Sequence, residues 1–159
     1  MAEAKERPSI FANIDSELPE EQLSKLFLEA IMEWIEDIEE RYIETNGITL
    51  HTVIIGEGEP LVLLHGFPDF WYGWKNLVPL IKDKFQLIIP DMRGYNLSDK
   101  PEGVENYRIE LLIEDIIGLV KELNLKSIFL TGHDWGGVLS WFIAEKYPDK
   151  IRKLGIIKI

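Results

Sequence analysis

Three short runs in this chain are almost wholly apolar: Leu61-Val62-Leu63-Leu64, Gln86-Leu87-Ile88-Ile89-Pro90 and Ser127-Ile128-Phe129-Leu130. None shows the polar alternation of a strand with one wet face. Each is followed by a stretch of helical periodicity, near Tyr72 to Lys82, over Ile109 to Leu123, and over Val138 to Tyr147. Short strands buried on both faces and alternating with helices build a parallel sheet covered on both sides. A further strand is expected over Leu154 to Ile159. Upstream, Tyr42-Ile43-Glu44-Thr45, then Asn46-Gly47, then Ile48 to Ile55 reads as a β-hairpin, because Asn-Gly suits a tight turn with left-handed backbone. The fold class is therefore α/β, a mostly parallel sheet with an antiparallel N-terminal hairpin.

The first 40 residues differ from the rest. From Pro19 to Glu40, Leu23, Leu26, Phe27, Ala30, Ile31, Trp34, Ile35 and Ile38 recur at three- and four-residue steps, with carboxylates on the other face. That is an extra amphipathic helix, packed on its own domain or offered to a partner. Residues 1–47 hold 13 acidic and 4 basic side chains, against 15 and 13 in residues 48–159. The chain divides into an acidic N-terminal extension, 1–40, and a sheet domain, 41–159. A net charge of −11 with no basic patch argues against nucleic acid. No apolar run approaches the roughly 20 residues that span a bilayer. With no cysteine, disulfides and thiolate metal sites are excluded. The expectation is a cytoplasmic protein with no metal, no cofactor and no membrane partner.

In such sheets function gathers beyond the carboxyl ends of the strands. Three loops fall there: His65 to Trp74, Asp91 to Pro101, and Gly132-His133-Asp134-Trp135-Gly136-Gly137. The last is strand, tight turn, helix, with glycine two residues before and two after Asp134. A reactive side chain on a strained turn crowds the backbone at those two positions, so Gly132 and Gly136 are needed there. The amide of Trp135 opens the following helix, where donors are unpaired. The amide of Phe67, in the loop after an apolar strand, is the expected second donor of an oxyanion hole. Asp is also a common helix cap at unrelated strand–helix joints. The first loop, at the right point in the chain, sets this one apart.

Asp at the turn selects the chemistry. A carboxylate attacking an acyl group yields an anhydride, whereas attack on an sp³ carbon yields an ordinary ester that water hydrolyses. Epoxide opening or dehalogenation fits; esterase or protease work does not.

His65-Gly66-Phe67-Pro68, the aromatic run Phe70-Trp71-Tyr72-Gly73-Trp74, Asp91-Met92-Arg93-Gly94-Tyr95 with Ser98-Asp99-Lys100-Pro101, and the Asp134 turn together resemble the epoxide hydrolase branch of the α/β-hydrolase superfamily. The likeness runs from about Tyr42 to Ile159. It implies Asp134 as nucleophile, the amides of Phe67 and Trp135 as oxyanion hole, and His65, Gly66, Pro68, Gly132 and Gly136 as the loops that support them. It implies a cis bond before Pro68, and structural roles for Arg93 and Asp99. His65 is expected to brace the oxyanion loop, and His51 and His133 are not expected to act as bases. A small apolar epoxide is the implied substrate, with Trp71 beside Phe67 and Trp135 as a candidate pocket wall. A haloalkane or haloacid dehalogenase of the same fold is the alternative, although Phe67 lacks the side-chain donor a halide needs and Trp135 stands where a carboxylate-binding Arg is found.

The family's catalytic His, its partner acid and the lid with two tyrosines lie beyond the matched part. The resemblance therefore implies a truncated α/β-hydrolase fold, inactive by itself, whose partner is a complementing C-terminal half or a second copy. A different class of reading is a non-catalytic interaction module that dimerises through its last strand or its acidic helix.

Overall fold

The computed structural model describes residues 37–158. The helix expected over Pro19 to Glu40 lies outside them up to position 36. Its last two residues, Glu39 and Glu40, instead open the first strand.

Strands β1 (Glu39–Thr45) and β2 (Ile48–Ile55) form the hairpin. Asn46 and Gly47 both adopt positive φ, 45° and 76°, as a two-residue turn of this hand requires. Strands β3 (Glu59–Leu64), β4 (Phe85–Pro90), β5 (Ile128–His133) and β6 (Ile151–Ile157) complete one sheet, in spatial order β1-β2-β4-β3-β5-β6. β3 pairs in parallel with β4 and β5, and β5 with β6; the hairpin joins antiparallel through β2 and β4.

Among the described residues, three α-helices accompany the sheet: α1 (Val78–Ile81), α2 (Ile109–Glu122) and α3 (Trp135–Lys146). From α2, Leu112, Ile113, Ile116, Leu119 and Val120 share a core with Leu139 and Ile143 of α3 and with Leu50, Val62, Leu64, Ile88, Ile128 and Leu130 of the strands. The alternate strand residues, Leu61, Leu63, Leu87 and Ile89, are buried as well. Burial of both sets is why these strands carry no polar alternation. Helix α2 stops at Asn124, whose φ is 55°, with Leu125 N–H on Val120 O and Asn124 N–H on Lys121 O. This paired closure satisfies the last carbonyls.

The helix expected from Tyr72 to Lys82 is not continuous. The chain makes a 3₁₀ turn at Trp71–Trp74 and then only the four-residue α1. Pro79 explains the break: it has no N–H to continue an earlier helix and serves only in a first turn. Helix α3 starts three residues earlier than its periodicity suggests, directly after Asp134. The last strand runs Ile151–Ile157 rather than from Leu154.

Candidate active site

Strand β5 delivers Asp134 to the carboxyl edge of the sheet with φ 51° and ψ −121°. That conformation is strained for a residue with a side chain. It is held from three sides. Asp134 N–H donates to Lys158 O at 2.9 Å, just past the end of β6. A Cβ on Gly132 would overlap the carbonyl oxygen of Gly136, and a Cβ on Gly136 would overlap that of Leu64. Ser140 Oγ, buried in α3, donates to Gly136 O at 2.7 Å and ties down the first turn of the helix.

The carboxylate faces the loop after β3. Phe67 N–H donates to Asp134 Oδ1 at 2.9 Å. This bond first, and then one from the Trp135 amide, holds the Asp134 carboxyl below the usual aspartate range. Hydrogen bonds to the ionised form favour it. Two backbone amides thus bond a carboxylate at a helix N-terminus, that of Phe67 at Oδ1. The Phe67–Pro68 peptide is cis.

The loop carrying Phe67 is anchored by His65. Its buried ring accepts from Met92 N–H at Nε2, 3.0 Å, and donates from Nδ1 to Gly66 O, 2.9 Å. The imidazole is therefore neutral with its proton on Nδ1. Burial pushes its pKa down.

A cleft of about 380 Å³ opens on the carboxylate, lined by Phe67, Tyr95, Asp134, Trp135 and Val138. Phe67 is 72% and Trp135 39% exposed, so both aromatic side chains stand at its rim. Trp71 is not among the lining residues; its ring packs edge-on against Phe70 and Tyr72. Tyr95, next to Gly94 in the second loop, stands in the wall. Its ring meets His65 edge-on at 4.7 Å, and burial, then the Asp134 charge, raises its phenol pKa.

The second loop is held by buried charge. Arg93 grips Asp115 of α2 with two 2.7 Å hydrogen bonds, and both side chains are almost fully buried. Asp99 accepts from Thr49 N–H at 2.8 Å. Asp91 is fully buried and accepts from His51 Nδ1 at 2.8 Å, Asn96 Nδ2 at 2.7 Å and Trp71 N–H at 2.9 Å. The signal for Asp115 was present in the sequence: one carboxylate on the apolar face of an amphipathic helix, between Ile113 and Ile116.

Three histidines are present in all, His51, His65 and His133. None hydrogen-bonds Asp134. Among the described residues, no group of three or more His, Asp or Glu is placed to hold a metal ion. No described helix is long and apolar enough to cross a membrane.

A profile described as the alpha/beta hydrolase fold matches residues 59–158. The chain is 50% identical over 122 residues to AB hydrolase superfamily protein YfhM of Bacillus subtilis, covering 75% of this chain and 43% of that protein. It is 43% identical over 117 residues to epoxide hydrolase 4 of Mus musculus, covering 72% and 33%. Among solved structures, an epoxide hydrolase from Vigna radiata matches with a TM-score of 0.75 at 36% identity, over 77% of this chain and 38% of that one. A mutant epoxide hydrolase from Bacillus megaterium, solved with its naphthyloxy-propanediol product, matches with a TM-score of 0.72 at 40% identity, over 74% and 42%. The chain spans less than half the length of these relatives.

Proposed function

The chain belongs to the α/β-hydrolase fold family, and from that premise we propose that it carries the nucleophile and oxyanion hole of an epoxide-opening hydrolase. The reading rests on one observation above others: the 2.9 Å hydrogen bond from the Phe67 amide to Oδ1 of Asp134, on a left-handed residue at a strand end. Similarity to several epoxide hydrolases supports the choice of substrate class.

Oδ1 is held by the Phe67 amide, and Oδ2 is the oxygen that reacts. Oδ2 attacks one epoxide carbon from the face opposite the ring oxygen. The C–O bond of the ring breaks as the Oδ2–C bond forms, and the freed alkoxide takes a proton from solvent water. The product is a hydroxyalkyl ester of Asp134 whose carbonyl oxygen is Oδ1, already in the hole. Water then adds to the ester carbonyl carbon, and the two amides stabilise the oxyanion that develops. Collapse of the adduct releases the diol and restores the carboxylate. The depressed pKa of Asp134 keeps it ionised, as the first step requires. Dehalogenation uses the same ester, but Phe67 offers no side-chain donor to a departing halide, which favours the epoxide.

The second step needs a base to activate water, worth typically 10²–10⁴-fold. His51 and His65 are buried and already bonded, and His133 makes no bond to Asp134. Residues 1–159 by themselves therefore turn over negligibly. The test follows styrene oxide consumption and diol release by the 159-residue chain and by Asp134→Asn. At most one equivalent of epoxide consumed per chain, lost in the variant, supports the reading. Repeated diol release, or consumption unaffected by the substitution, overturns it.

A further inference from the structure

The loop that carries the Phe67 amide is pinned at both ends to two consecutive residues beyond β4. At its start, His65 Nε2 accepts from Met92 N–H at 3.0 Å. At its far end, Trp71 N–H donates to Asp91 Oδ1 at 2.9 Å. Between these pins the Phe67 side chain is 72% exposed and is not packed into the interior. The position of its amide is therefore set through the backbone, by the pins at the two ends together with the turn that Asp69 N–H closes on Gly66 O and the contact of Gly66 with Asp134.

Asp91 fixes more than one segment. Its Oδ2 accepts from His51 Nδ1 at 2.8 Å and from Asn96 Nδ2 at 2.7 Å, and Ser98 Oγ donates to its backbone oxygen at 2.6 Å. A carboxylate accepts only, so each neighbour must turn a donor toward it. Hydrogen bonds to an ionised group are about twice as strong as neutral ones, and full burial keeps water from replacing them. His51 is itself fully buried on β2, bonded through its own N–H to Ser98 Oγ and stacked at a tilt on Tyr42. It presents Nδ1 to Asp91 from a rigid strand.

We propose that Asp91, oriented by His51, is a positioning residue for the oxyanion hole: it holds the Phe67 amide on Asp134 by fixing the far end of the loop. The role rests on the reading of Asp134 as nucleophile. It differs from that of Asp115, an equally buried carboxylate whose partners are Arg93 and Asn46, away from the Phe67 loop.

The test is an NMR titration of the Phe67 amide, whose chemical shift reports the ionisation of Asp134 across their hydrogen bond. It needs no substrate, so it stands or falls separately from whether Asp134 reacts with an epoxide. His133, whose charge bears on Asp134, is unaltered in every variant. In Asp91→Asn the midpoint moves upward, toward that of an ordinary aspartate, while in Asp115→Asn it stays at the wild-type value. His51→Ala moves it in the same direction, and His51→Asn, whose side-chain amide replaces the Nδ1 donor, restores it. The His51 pair serves if Asp91→Asn does not fold. A wild-type midpoint in folded Asp91→Asn or His51→Ala, or an equal shift in Asp115→Asn, overturns the proposal.

Discussion

Gly66 lies directly against Asp134: a Cβ built on the glycine stands 2.7 Å from the Cβ of Asp134 and 2.8 Å from its Oδ1. The Phe67 loop and the turn at Asp134 therefore touch with no room for a methyl group. In Gly66→Ala the carboxylate is displaced from the Phe67 amide. The expected result is a loss of epoxide consumption on the order of 10²-fold, the cost of misplacing a reacting group by about 1 Å. The loss of stability is smaller, about 1–3 kcal/mol for overpacking. Comparing consumption rates with thermal melts separates the two. Wild-type rates in the folded variant contradict the close fit.

Arg93 and Asp115 form a charge pair buried in the interior. Removing one partner leaves a buried charge uncompensated, which costs about 3–5 kcal/mol. Arg93→Met is expected to lower the unfolding free energy by that amount in urea titrations. A loss under 1 kcal/mol, typical of surface pairs, contradicts it.

His65 gives the fold a pH dependence of definite sign. Burial depresses its pKa in the folded chain, while an unfolded histidine titrates near about 6.5. Above that value both states are neutral and the stability is complete. As pH falls below it, the unfolded chain binds a proton that the folded chain refuses. Stability is then lost down to the folded pKa, by up to ~1.4 kcal/mol per pH unit. Urea titrations between pH 7.5 and 5 measure this slope, and His65→Gln is expected to flatten it, though from a lower starting stability. Equal slopes in the two proteins contradict the assignment.

Much of this structure is legible in the sequence because its constraints are local. The elbow is announced by glycines two residues either side of Asp134, since the clash they avoid involves neighbouring turns of chain. The apolar runs Leu61–Leu64 and Leu87–Ile89 declare strands buried on both faces. What escapes is set by partners far along the chain. The Trp71 amide is fixed by a carboxylate 20 residues away. Asp115 waits for Arg93, 22 residues earlier, and Tyr95 enters the cleft wall only once the second loop folds over His65.

The most direct test maps covalent attachment. The 159-residue chain is incubated with excess styrene oxide, digested and analysed by peptide mass spectrometry, beside Asp134→Asn. The expected result is one hydroxyalkyl ester per chain, located on Asp134 and absent from the variant. Adducts scattered over surface carboxylates, unchanged by Asp134→Asn, would contradict the role of Asp134 as nucleophile.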